Sequence, residues 1–326
     1  SRSKVGSQTS SKHEFLVQAL EFYPFTGSWG KYFSSNIKVT FAPVGSPAVA
    51  IENAYAKVNS GSEKRFVAAR VGIFHPYDGY GASDNPATIS RPFFQTNPAN
   101  FEQSTFFRTW GFDEAGAEIG LDYNRTSIRF ALLNGLVLNK EDGKFVATAA
   151  QGGPLTQPSA GPTHHRPDFQ IFVNQVLHPG GGGVSFHYYH GNLALPINGN
   201  EEFFRNYFDR AAVYGSYPVA KRLRLFAGYQ RGWDRRATGA TFSSAGAFAE
   251  VSVPIHGLTE AGVRYDWFDP ALTKQDNSQR GTTAYVNAWL YSQLRIVAEY
   301  QHKATRLQPA TTQKDDVFQV RIIYIK

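Results

Sequence analysis

The chain has 326 residues, with 33 lysines and arginines against 26 aspartates and glutamates, a net charge of +7. A mean hydropathy of −0.35 and the lack of any run of about eighteen apolar residues exclude helical membrane spans. They leave room for a barrel, whose strands carry only every second residue apolar. Cysteine is absent, which excludes a disulfide framework, a thiolate metal site and covalent haem, and no lysine and arginine block marks a nucleic-acid face.

Methionine is also absent, position 1 included, so the chain reads as a processed mature form or a fragment whose secretory signal has been removed. Residues 1–12 read as an N-terminal segment, flexible or part of a first strand, and 13–326 as one domain. Alternation of apolar and polar residues predicts fifteen strands, at 13–23, 35–43, 49–58, 64–75, 115–123, 126–134, 168–177, 183–191, 204–216, 220–232, 242–254, 258–268, 281–291, 293–304 and 314–325. The pattern is plainest late in the chain. Leu223, Leu225, Ala227 and Tyr229 interleave with Arg224, Phe226 and Gln230, and Leu294, Ile296, Ala298 and Tyr300 with Arg295, Val297, Glu299 and Gln301. Successive side chains of a strand point to opposite faces, so each run has one apolar and one polar face. Runs of this length suit an oblique bilayer crossing, which needs about nine to eleven residues.

The predicted connections alternate in length. Short ones are Asn59 to Ser62, Tyr123 to Arg125, His178 to Gly183, Tyr217 to Val219, Ile255 to Gly257 and Ser292-Gln293, rich in the glycine, proline and asparagine that tight hairpins need. Long ones cover 77–112, 135–167, 192–203, 233–241, 269–280 and 305–313. Short periplasmic turns with longer external loops are expected of outer-membrane barrels, as is an even strand number. The expectation is therefore an all-β, antiparallel transmembrane β-barrel of sixteen strands, fourteen being the alternative.

The whole chain resembles a bacterial outer-membrane β-barrel porin of the general or phosphate-selective-like class. The residues that carry the resemblance are the runs from Arg222 to Trp233, Ala261 to Pro270 and Val317 to Lys326. It implies passive diffusion of small hydrophilic solutes, with no catalysis and no cofactor. It implies residence in the bacterial outer membrane, among lipid and lipopolysaccharide, and leaves room for a homotrimer. One departure is the last residue: such porins commonly end in an aromatic, whereas this chain has Tyr324 but ends in Lys326.

Strand parity puts Lys38, Arg70, Arg129, Arg222, Arg224, Arg264, Arg295 and Arg321 on the polar face, with Glu118, Asp122, Glu250, Asp266 and Glu299. A lysine or arginine at the bilayer midplane on the lipid side costs about 2–4 kcal/mol, so these line the pore. They read either as salt bridges that stiffen the wall or as a basic constriction that favours anions; Arg222, Arg224 and Arg295 sit on the strands of least ambiguous phase. The segment 77–112 carries Phe93, Phe94, Phe101, Phe106, Phe107 and Trp110. These are costly to leave in water, so it reads as a constriction loop folded toward the lumen, a partner surface or a packed loop cluster. His164 and His165 lack a third metal ligand, and His187 and His190 fall on opposite faces of one strand. Ser185 and His187 share a face without a third catalytic member. Trp233, Tyr265, Trp267, Tyr291 and Tyr324 read as interface girdles. An alternative function is a scaffold that docks or sheaths a protein partner such as a c-type cytochrome.

Overall fold

The structure, a computed structural model, describes residues 2–5, 8–11, 20–41, 49–62, 65–74, 92–96, 114–134, 136–141, 144–149, 167–178, 182–196, 203–220, 223–236, 239–256, 259–272, 277–291, 294–307 and 311–324. Its strands are β1 (Arg2–Val5), β2 (Gln8–Ser11), β3 (Leu20–Trp29), β4 (Phe33–Phe41), β5 (Val49–Ser62), β6 (Arg65–Phe74), β7 (Glu114–Tyr123), β8 (Thr126–Leu133), β9 (Leu136–Glu141) and β10 (Lys144–Ala149). They continue as β11 (Asp168–His178), β12 (Gly182–Pro196), β13 (Phe203–Ala220), β14 (Leu223–Arg236), β15 (Thr241–His256), β16 (Thr259–Asp269), β17 (Gln279–Tyr291), β18 (Leu294–Leu307) and β19 (Thr311–Tyr324). One short helical turn, α1 (Phe93–Thr96), lies between β6 and β7.

Seventeen of these strands form one sheet. Every ladder of resolved register is antiparallel and joins neighbours in chain order, with two exceptions: β8 pairs with β11 across the separate β9–β10 hairpin, and β1 pairs with β19. Fifteen strands have at least eight residues. In place of a sixteenth stands the short β1–β2 hairpin, whose β1 pairs with β19 and which lies between β19 and β3 in the sheet order. Among the described residues the expected sixteen strands are met by fifteen long strands and a hairpin at the seam. The β9–β10 hairpin was not anticipated in the segment 135–167.

Connection lengths alternate as the sequence implies, but the ladders run further than expected. Asn59 to Ser62 belong to β5, Tyr217 to Val219 to β13, and Ile255 and His256 to β15. Each side of a hairpin can exchange backbone hydrogen bonds until register fails, and Pro218 and Pro254 each sit beside a register shift near the end of their strand. Asn124, at φ 53°, supports the left-handed bend between β7 and β8, a conformation that asparagine tolerates better than most residues.

Burial alternates along the strands and separates an inner from an outer face. On β17, Gln279, Gly281, Thr283, Tyr285 and Asn287 are buried while Arg280, Thr282, Ala284 and Val286 are exposed. The exposed face is apolar over a band of limited height. It carries Val67 and Val71 on β6, Ile119 and Leu121 on β7, Val251 and Val253 on β15, Val263 on β16, and Phe318, Val320 and Ile322 on β19. Above it, toward the long loops, the outer face turns polar at Arg231, Asp269, Arg280, His302 and Lys314. A soluble sheet buries its apolar face. Here the apolar face is outside and the polar one inside, the arrangement of a wall set in hydrocarbon around a polar lumen. Backbone groups in hydrocarbon find no water, and the inter-strand ladders satisfy them.

Candidate functional site

The inner wall is the candidate site, and several of its charges occur in pairs. On β6 to β8, Arg70 Nη2 lies 2.8 Å from Glu118 Oε2, and Arg129 Nη2 lies 2.7 Å from Asp122 Oδ2. Ser127 donates a further hydrogen bond to Asp122. The Arg70 guanidinium also covers the Phe74 ring at 4.1 Å. Register sets these contacts directly, since Arg70 is paired with Glu118. Near the short turns the same wall opens into a cavity of about 690 Å³ lined by Gly61, Ser62, Phe66, Asp122, Asn124, Thr126 and Ser127. Lys57, on β5, faces this region with its ammonium 5.5 Å from the Phe66 ring.

On the opposite run of strands the pairs are buried. Arg210 and Asp234 meet at 2.9 Å with both side chains at 0 % exposure. Arg264 Nε donates to Asp266 Oδ2 at 2.9 Å on the same face of β16, again fully buried. Glu250 Oε1 accepts the Tyr285 hydroxyl at 2.9 Å. Arg295 Nε donates to Asn287 Oδ1 at 2.8 Å, and its guanidinium stands 5.7 Å from the Trp289 ring. Glu299 is buried, Arg321 is half-buried, and Arg224 is the exposed inward cation near the start of β14.

The predicted polar-face residues that are described therefore all face inward, but they differ in access. Arg264, Arg295, Glu250, Asp266 and Glu299 are withdrawn into the wall, while Arg70, Arg129, Arg224 and Arg321 retain exposure. Arg222, Phe101, Phe106, Phe107, Trp110, His164 and His165 lie outside the described residues, as do the side chains of Lys38 and Tyr324. Lys57, Arg210, Asp234 and Lys303 were missed. Strand parity could have found Arg210, which alternates with Phe208, Ala212 and Tyr214 as an inward residue.

Phe93 and Phe94 of α1 are buried, at 3 % and 1 %, in a cluster with Ala212, Tyr214, Phe248 and Phe268, inward residues of β13, β15 and β16. Two glycines make room. A Cβ on Gly246 would fall 2.7 Å from Phe94 Cβ, and one on Gly281 would fall 2.5 Å from Phe93 Cζ. Asp266 accepts the Phe93 backbone N–H, and the Lys303 ammonium lies 5.3 Å from the Phe93 ring. This part of the segment 77–112 rests on the inner wall. Ser185 and His187 are buried on the inner face, where His187 Nε2 meets the Gln170 amide, and His190 is on the outer face beside Asp209.

Several solved structures share this architecture at low sequence identity. The anion-selective porin from Comamonas acidovorans is 12 % identical with a TM-score of 0.61, over 91 % of this chain and 87 % of that one. The outer membrane channel DcaP of Acinetobacter baumannii is 13 % identical with a TM-score of 0.60, over 94 % and 84 %. OmpT of Vibrio cholerae in its trimer form is 11 % identical with a TM-score of 0.57, over 93 % and 96 %. No family model matches the chain, and no curated protein matches its sequence. Outward apolar band, inward charge pairs and these likenesses agree: the chain has the fold of a bacterial outer-membrane porin, an antiparallel transmembrane β-barrel.

Proposed function

We propose that this protein is a channel of a bacterial outer membrane that passes small hydrophilic solutes by diffusion and favours anions. The observation that carries the anion preference is which charges on the inner wall reach water. Among the described residues, six inward carboxylates, Glu118, Asp168, Asp234, Glu250, Asp266 and Glu299, are buried. Asp122, Glu260 and Asp315 keep exposure, against the cations Lys57, Arg70, Arg129, Arg224, Lys303 and Arg321. A fixed positive excess acting across a narrow, low-dielectric wall lowers the barrier for anions. The likeness to an anion-selective porin supports the same reading.

The turn α1, held on the inner wall by Phe93 and Phe94, narrows the passage in this proposal and brings Lys303 beside it. Ser185 and His187 are wall residues, and no catalysis is assigned to them. A homotrimer is proposed on the likeness to a trimeric outer membrane protein, and light scattering of the detergent complex checks it. Planar bilayer recording with a salt gradient tests the function. Stepwise conductance with a reversal potential on the anion side is expected. Absence of conductance together with a co-purifying cytochrome absorbance would sink it in favour of a scaffold.

A further inference from the structure

At the short-turn mouth, the inner face of β5 to β8 holds charges that do not cancel. Lys57, Arg70 and Arg129 stand against Glu118 and Asp122, and Lys57 interacts electrostatically with the other four. Three cations against two carboxylates leave one positive charge. Two of the cations are engaged. Arg70 Nη2 lies 2.8 Å from Glu118 Oε2, with its guanidinium over the Phe74 ring. Arg129 Nη1 donates to the Leu121 and Ile128 carbonyls, and Nη2 reaches both Asp122 oxygens at 2.8 and 2.7 Å. Lys57 makes no hydrogen bond or ion pair among the described residues. Its ammonium stands 5.5 Å from the Phe66 ring centre.

Register explains how a lysine reaches that ring. Lys57 is paired with Arg70, whereas Phe66 lies four residues away on β6 and is paired with Gly61 and Asp122. Between the two rows the inward positions of β6 and β7 are Ala68 and Gly120, which have almost no side chain. Arg129 occupies the space over Gly120, where an added Cβ would fall 2.6 Å from Arg129 Cδ. The space over Ala68 is left to the lysine, and Gly61 has no side chain to cover Phe66. Beyond lies the cavity of about 690 Å³, a size that suits a small molecule. Its hydroxyls are already committed. Thr126 donates to Gln175 Oε1 at 2.6 Å, and Ser127 donates to Asp122. The cavity thus offers one ammonium, one ring and, on its far side, the Asp122 carboxylate.

We infer that this cavity binds monocarboxylates with a short apolar tail, of which hexanoate is the probe. The inference rests on the reading of the barrel as a channel for small anions and narrows its substrate class. The carboxylate meets the Lys57 ammonium in a charge-assisted hydrogen bond, and the tail leaves water against Phe66 and Ala68. An inorganic anion gains nothing from the ring. A second carboxylate at the far end of the tail would be driven against Asp122. One fixed positive charge beside an apolar surface therefore selects for charge number and for tail together.

The test titrates the full chain in neutral detergent with sodium hexanoate, acetate, adipate and inorganic phosphate, binding being followed by ligand-observed NMR. Saturable hexanoate binding is expected, with acetate, adipate and phosphate each weaker by about tenfold or more. Lys57→Gln weakens hexanoate by roughly thirtyfold, while Lys57→Arg retains it, which separates loss of the charge from loss of the fold. Phe66→Ala brings hexanoate down to the level of acetate. Hexanoate binding that survives Lys57→Gln overturns the proposal, as does equal affinity for hexanoate, acetate and adipate. Conductance of the same preparations is a separate readout. Wild-type protein that passes current without saturable hexanoate binding refutes the site and leaves the channel standing, whereas binding without current does the reverse.

Discussion

Docking of α1 on the inner wall is close to balanced, and a single methyl group should upset it. Phe93 and Phe94 keep 3 % and 1 % of their exposure, and burial contributes about 1.5–3 kcal/mol for each ring. The Phe93 N–H bond to Asp266 adds about 1 kcal/mol. Against this, ordering the four residues of the turn costs about 1–2 kcal/mol each. Both rings are therefore needed. Phe94→Ala forfeits about 3–5 kcal/mol and shifts the turn toward release by a factor of roughly 10² or more. Gly246→Ala places its Cβ 2.7 Å from Phe94 Cβ, a contact that no side-chain rotation of Phe94 relieves, so the turn must leave its seat. Single-channel recording of both variants should show larger conductance and a noisier open level than wild type. Gly27→Ala, where an added Cβ meets nothing within 4 Å, should behave as wild type. Wild-type conductance in both Phe94→Ala and Gly246→Ala would refute the reasoning that α1 narrows the passage.

Replacing Lys57 and Arg224 together by glutamine should move the reversal potential in a salt gradient toward zero; an unchanged value would place the selectivity elsewhere. Asp234→Ala strands Arg210 at 0 % exposure and should cost about 3–5 kcal/mol, read as a lower urea midpoint for unfolding from lipid vesicles. Val263→Arg, on the outer face at 51 % exposure, should cost about 2–4 kcal/mol if that face meets hydrocarbon. A neutral result in the same urea titration would contradict the assignment of the apolar band.

How much was legible follows from the kind of signal each feature leaves in the sequence. Period-two alternation is local, so strand existence and facing could be read for β6 to β8 and β11 to β19 from neighbouring residues alone. Ser62, Val219 and His256, expected in turns, belong to strands because a ladder extends until register fails, and register belongs to two strands at once. The β9–β10 hairpin carried too weak an alternation to stand out from a long loop. His190 and Asp209 were not recognised as a pair because their strands meet only when the sheet forms.

Alternation and turn chemistry by themselves determined an all-β chain with an apolar and a polar face, crossing length, and arginines on the polar side. They could not say which of those charges water reaches. That was decided by the tertiary structure, because access depends on what lies opposite. Register set Arg70 against Glu118, closure of the buried Arg210–Asp234 pair withdrew both charges, and two glycines opened the seats for Phe93 and Phe94. The charges left facing the lumen, Lys57 and Arg224 among them, are a remainder of packing between strands distant in the chain.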